Sequence, residues 1–122
     1  MKRTGRILVV DDDPDLREFL QLMLTSMGFE VTSAANGQDA LEVMEGPCPD
    51  LILLDMKMPV MNGWEFCRAL EGRDSRPPIV VLTAAPDPAG RAAEVHAEGW
   101  LGKPFEYADL EGIVRRFASP AR

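Results

Sequence analysis

Leu51-Ile52-Leu53-Leu54-Asp55-Met56-Lys57-Met58-Pro59 is the stretch that decides the fold. Four consecutive large aliphatic residues predict a strand buried on both faces, because a half-exposed strand would alternate with polar residues. Asp55 follows at once, then a turn containing Pro59. A carboxylate does not belong in such a core. At the C-terminal end of the strand it emerges instead where open parallel sheets bind ligands. What Asp55 meets there depends on the ends of the other strands.

Strand and helix patterns alternate along the whole chain. Arg6-Ile7-Leu8-Val9-Val10 reads as a first buried strand and runs into Asp11-Asp12-Asp13-Pro14. Leu16, Phe19, Leu20, Met23, Leu24 and Met27 then form an apolar stripe at helical spacing. Asp13 suits the N-cap of that helix, Pro14 its first position and Gly28 its C-terminal stop. Residues 30–34 read as a second strand. Asn36-Gly37 turns into a helix carrying Ala40, Leu41, Val43 and Met44, which Gly46-Pro47-Cys48-Pro49 breaks.

Beyond the central strand, Asn62-Gly63 opens a third helix with Phe66, Ala69 and Leu70 inward, and residues 72–78 form a polar loop. Ile79-Val80-Val81-Leu82 is a fourth buried strand ending at Thr83. Residues 84–99 hold Pro86, Pro88 and mostly alanines, so any helix there buries little and is expected to be mobile. His96 falls in it as an exposed polar residue, away from the strand ends. Trp100-Leu101-Gly102 is a short fifth strand, and Leu110, Ile113, Val114 and Phe117 mark a last helix. Five βα units predict an α/β, doubly wound protein: a parallel five-stranded sheet with helices on both faces.

The composition excludes several functions. At 122 residues the chain makes one domain with a proper core, and 46% hydrophobic with 27% charged residues is ordinary for a soluble protein. Net charge is −7 and the pI about 4.6, which argues against direct nucleic-acid binding. No apolar run approaches a membrane span, and Met1-Lys2-Arg3 precedes no export signal, so no membrane role and a cytoplasmic location are expected. Cys48 and Cys67 are not spaced as a metal pair and the chain has one His, which leaves no zinc site. Both thiols are expected to be reduced.

The strand ends carry Asp11 and Asp12, Asp55, Thr83 and Lys103. In the doubly wound order 2-1-3-4-5, taken from the general class and not from these residues, strands 1 and 3 are neighbours and the three carboxylates converge. At about 5 Å and an effective dielectric of roughly 20, each pair repels by about 3 kcal/mol. Lys103 supplies one positive charge and a divalent ion would supply two. Oxygen ligands without His or Cys point to Mg²⁺. Singly, each residue has a plainer role: Asp13 a cap, Thr83 a bond to local backbone, Lys103 an exposed lysine before a turn. Five of them on one edge of one sheet outweigh those readings.

The segments Ile7-Leu8-Val9-Val10-Asp11-Asp12-Asp13, Asp55-x-x-Met58-Pro59-x-Met61-Asn62-Gly63, Leu82-Thr83-Ala84 and Lys103-Pro104-Phe105 resemble the receiver domain of bacterial two-component response regulators. The resemblance covers nearly the whole chain, in order. It implies a flavodoxin-like (βα)5 three-layer sandwich and a receiver domain over residues 4–119. No output domain is expected in this chain. Asp55 would take the phosphoryl group of a phosphohistidine, from a sensor histidine kinase or a histidine phosphotransfer protein. Asp12 would ligate Mg²⁺ directly, Asp11 mostly through water, and Lys57 through its backbone carbonyl. Lys103 would pair with the carboxylate and then the phosphoryl group, and Thr83 would donate to a phosphoryl oxygen. A cis bond before Pro104 would aim Lys103 inward. Thr83 and Trp100 would form the switch, with Trp100 where Tyr or Phe is usual, and the surface of helix 4, strand 5 and helix 5 would bind a downstream protein effector. Such a chain is a signalling switch and not a turnover enzyme.

Three rivals remain. A haloacid-dehalogenase-like phosphatase would use Asp11 as nucleophile and Asp13 as its partner, but it leaves Asp55-x-x-Met58-Pro59 unexplained. A flavodoxin-like electron carrier would need a Ser/Thr/Gly-rich loop after strand 1. A degenerate receiver serving only as a docking module would not need every phosphorylation residue.

Overall fold

Leu51, Ile52, Leu53 and Leu54 are all at 0% exposure, as a strand covered on both faces requires. The computed structural model describes residues 5–73 and 76–118. Ten elements alternate: β1 (Arg6–Val10), α1 (Pro14–Ser26), β2 (Glu30–Ala34), α2 (Gly37–Val43), β3 (Leu51–Asp55), α3 (Gly63–Leu70), β4 (Ile79–Thr83), α4 (Pro88–Glu94), β5 (Gly99–Gly102) and α5 (Tyr107–Ala118). The expected domain limits 4 and 119, the segments Met1-Lys2-Arg3 and Ser119-Pro120-Ala121-Arg122, and Asp74 and Ser75 of the polar loop lie outside the described residues.

All strand pairs are parallel, in the order β2-β1-β3-β4-β5. The sheet separates two hydrophobic cores. Leu8, Val10, Ile52, Leu54, Ile79 and Val81 face α2, α3 and α4, where Phe66 and Leu70 are fully enclosed. Ile7, Val9, Leu51, Leu53, Val80 and Leu82 face α1 and α5, meeting Leu20, Leu24, Leu110 and Val114. Alternation along each strand sends successive side chains to opposite faces, and helices on both faces bury both sets.

Each of the first four helices starts on an Asp or Asn that satisfies an orphan backbone N–H. Asp13 accepts from Asp15 N at 3.0 Å and Leu16 N at 3.4 Å, ahead of Pro14. Asn36 accepts from Asp39 N, Asp87 accepts from Gly90 N, and Asn62 forms a reciprocal capping box with Glu65. Gly28, at φ 97, stops α1 in the left-handed region.

The structure corrects the expected core at several points. Phe19 is 48% exposed, and Ala69 also faces solvent while Cys67 takes the buried place in α3. Residues 88–94 do form a helix, seven residues long, which buries Ala92 and leads to buried Val95. Capping by Asp87 and Pro88 at the helix start compensate for the poor packing face. His96 lies beyond that helix, exposed, at φ 56.

Candidate acidic site at the strand ends

Register fixes the site. Val10 lies opposite Leu54, so the next residues, Asp11 and Asp55, leave adjacent strands at the same level. Asp11, Asp12 and Asp55 each offer a carboxylate oxygen, and these oxygens lie within 4.8 Å of one another. Thr83 lies opposite Gly102, and Lys103 N donates to Thr83 O at 2.8 Å. The Lys103–Pro104 bond is cis. Lys103 Nζ is 3.0 Å from Asp11 Oδ2 and 3.8 Å from Asp55 Oδ1. All five expected residues therefore share one edge of the sheet.

The adjacent aspartates differ. Asp11 is wholly buried: Oδ1 accepts from Asp13 N at 2.9 Å and Oδ2 accepts from Lys103. Its carbonyl accepts from Arg17 Nη1 at 2.8 Å. Asp12 is exposed at the rim. Asp13 is spent on capping α1, which removes it from the role the phosphatase rival assigns. The Thr83 hydroxyl, 8% exposed as a residue, accepts from Ala85 N at 3.0 Å. That is the local bond of its plainer reading, and it leaves the O–H proton available to a further acceptor.

Burial, and then the neighbouring Asp11, push the Asp55 carboxyl from 3.8 up to about 6, against the opposing pull of Lys103. Between these values the folded protein holds a proton that the unfolded chain has released. In the metal-free protein, stability is therefore greatest below pH 4 as far as this group is concerned, and is lost as pH rises through 6. Asp55→Asn should raise metal-free stability at pH 7.5 by about 1–2 kcal/mol, discounted for partial solvent access. The gain should shrink toward pH 4. Urea unfolding at both pH values checks it, and a destabilised Asp55→Asn chain would contradict it.

The donor set suits a hard divalent cation: three carboxylates, with no His or Cys among them. The two cysteines are free, and burial pushes the Cys67 thiol up to about 11, far from a reactive thiolate.

The turn after β3 is tightly built. Gly63 N donates to Met56 O, and a Cβ on Gly63 would sit 2.6 Å from Met56 Sδ and 2.9 Å from the Asp55 carbonyl oxygen. Met61 N donates to Pro59 O across Val60, which is held at φ 68. Gly63→Ala must therefore move the backbone that carries Asp55. A loss of about 1–3 kcal/mol is expected. Divalent-cation binding at the carboxylate cluster should also weaken, although no polar group is removed. Thermal melting and a Mg²⁺ titration test this together; unchanged affinity would mean that Asp55 is positioned independently of this turn.

A cleft of about 420 Å³ opens beside the cluster, lined among others by Asp55, Thr83, Lys103, Trp64 and Arg91. Trp64 and Arg91 had no place in the site read from sequence. They arrive from α3 and α4, and only the packing of those helices brings them to the strand ends. Lys57 and Ala85 also line the cleft, and the Lys57 backbone N–H donates to Asp55. Trp100 points outward, 47% exposed.

A doubly wound α/β protein with an aspartate cluster and a lysine at its switch point belongs to the class whose acidic strand ends suit a hard divalent cation. The chain belongs to the response regulator receiver domain family, whose pattern it matches over residues 7–115. It is thus a receiver domain of phosphorylation-switched, two-component signalling. It is 43% identical to the DNA-binding response regulator MtrA of Mycolicibacterium smegmatis, over 90% of this chain and 49% of that protein. The chain spans about half the length of the curated relatives it matches. It also superimposes on the chemotaxis response regulator CheY4 of Vibrio cholerae, with TM-score 0.86, 34% identity, and coverage of 94% of this chain and 99% of that one. The receiver domain of sensor histidine kinase PA1611 from Pseudomonas aeruginosa PAO1 gives TM-score 0.85 and 32% identity, over 94% and 98% of the two chains. That structure has a magnesium ion coordinated in its active-site cleft.

Proposed function

We propose that Asp55 is the phosphoacceptor of a Mg²⁺-dependent switch, charged by the phosphohistidine of a sensor histidine kinase or phosphotransfer protein. One observation carries the reading: the Asp55 carboxylate stands between Asp11, Asp12 and Lys103 at the mouth of a cleft large enough for a phosphoryl donor. An Asp55 oxygen attacks phosphorus, the P–N bond breaks, and the imidazole departs with a proton on its other nitrogen. The product is an acyl phosphate. Such transfers require positioning and charge neutralisation above all.

Asp12, exposed and with no competing bond among the described residues, is the direct metal ligand. Asp11, whose oxygens already accept from Asp13 N and Lys103, acts mostly through water. The Lys57 backbone carbonyl is the third protein ligand. Bound Mg²⁺ supplies the positive charge that the three carboxylates and the phosphoryl group lack. Lys103 holds the Asp55 carboxylate before transfer and the phosphoryl group after it. Thr83 leaves its local role to donate to a phosphoryl oxygen, and Trp100 follows it inward.

The surface of α4, β5 and α5 then changes toward a downstream protein effector. The chain acts as a signalling switch in the cytoplasm and not as a turnover enzyme. Its net charge of −7 gives this domain no nucleic-acid surface of its own, whatever the DNA-binding relatives do. Among the described residues no helix is long and apolar enough to cross a membrane. Intact-mass spectrometry after incubation with acetyl phosphate and Mg²⁺ tests the proposal. One phosphoryl adduct per chain is expected. None, with Mg²⁺ bound and no adduct from histidine kinases either, would leave only a docking module.

A further inference from the structure

We infer that Arg91 is a second cationic contact for the phosphoryl group, held off it by Glu94 until the group arrives. The inference rests on the reading of Asp55 as phosphoacceptor. Arg91 lies in the last turn of α4 and lines the same cleft as Asp55, Thr83 and Lys103. Its Nη2 is 3.1 Å from Glu94 Oε2. Its Nε is buried and has no hydrogen-bond partner, the one side-chain nitrogen or oxygen in that condition among the described residues. A guanidinium carries five N–H donors in a planar fork shaped for phosphate and carboxylate oxygens. Here most of that fork is unspent.

Charge gives the fork its task. Asp11 and Asp12 contribute two negative charges and a phosphorylated Asp55 two more. Lys103 and one divalent cation return three, so the charged state is one positive charge short. Arg91 and Lys57 line the cleft with cationic side chains that the mechanism leaves unused, and of the two Lys57 is exposed whereas Arg91 carries the buried donor without a partner. Glu94 competes for it, and Glu94 is itself tied to α3, because Trp64 Nε1 donates to Glu94 Oε1 at 3.0 Å. When a phosphoryl oxygen draws Arg91 across, Glu94 stays with Trp64 and the intrahelical pair on α4 opens. Occupancy of the cleft is thereby coupled to the end of α4.

The two partners should then respond in opposite directions. In phosphoryl uptake from acetyl phosphate with Mg²⁺, followed by intact mass, Arg91→Gln should slow uptake and shorten the life of the adduct about three- to tenfold. Arg91→Lys should recover part of that loss. Glu94→Gln keeps the Oε1 acceptor for Trp64 but releases Arg91, and should quicken uptake about two- to threefold. The Arg91→Gln/Glu94→Gln double variant should behave as Arg91→Gln alone. If the pair merely stabilises α4, both single variants shift the kinetics the same way or leave them unchanged, and the inference is overturned. An unphosphorylated wild-type protein would overturn the reading of Asp55 first, a distinct result.

Discussion

The Asp55→Asn protein, incubated with acetyl phosphate and Mg²⁺, should carry no phosphoryl adduct, a loss of about 10³-fold or more in uptake. The amide nitrogen and oxygen of Asn are too weak as nucleophiles to form the acyl phosphate. The neighbours offer no substitute. Asp11 is buried with both oxygens engaged, by Asp13 N and by Lys103, and Asp13 is committed to the α1 cap. Asp12 is exposed, and we assign it to the metal. The fold should survive, since the substitution removes a carboxyl that burial and Asp11 make costly to ionise. Intact mass reads the adduct and circular dichroism the fold. An undiminished adduct on folded Asp55→Asn would move the acceptor elsewhere.

Removing Mg²⁺ with EDTA should have the next largest effect, slowing uptake by about 10²- to 10³-fold. Lys103 is the single cation within 4 Å of these carboxylates among the described residues, and it divides its charge between Asp11 at 3.0 Å and Asp55 at 3.8 Å. Against three carboxylates within 4.8 Å this leaves a strongly negative entrance. Each uncompensated pair repels an incoming anion by about 3 kcal/mol at an effective dielectric of roughly 20. Asp12→Asn should raise the half-saturating Mg²⁺ concentration about tenfold while leaving the maximal adduct intact. Titrating Mg²⁺ against uptake measures both. Equal uptake with and without EDTA would show that the protein's own charges suffice.

The architecture was legible because its signals are local. Runs such as Leu51–Asp55 and Ile79–Thr83 identify buried strands, and Asp13, Asn36 and Asn62 mark helix starts through bonds within three residues. Phe19 and Ala69 were misplaced for one shared reason. An i, i+3, i+4 pattern admits both neighbours of a turn, but at 100° per residue each lies roughly 110–120° from the centre of the stripe that packs. In α1 the stripe runs through Leu20 and Leu24, and in α3 through Phe66, Cys67 and Leu70.

The strand-end residues were legible too, since each follows an apolar run directly. The resemblance gave Asp11 and Asp12 different roles, but their difference in burial was not legible, because only pleating and the arrival of Lys103 from the far end of the chain bury one and expose the other. Arg91 and Trp64 were invisible for the same reason. Their relation to Asp55 exists only through the packing of α3 and α4.

The sheet's division of the interior has an evolutionary consequence. α4 is rooted in the core it shares with α2 and α3, whereas α5 is rooted with α1 on the opposite side. The two helices of one outward surface thus answer to separate sets of packing constraints. Substitutions can accumulate beneath α4 and retune how it responds to the site without disturbing what α5 presents. On the proposed switch, a lineage could in this way exchange partners on one half of the surface while keeping the timing set by the other.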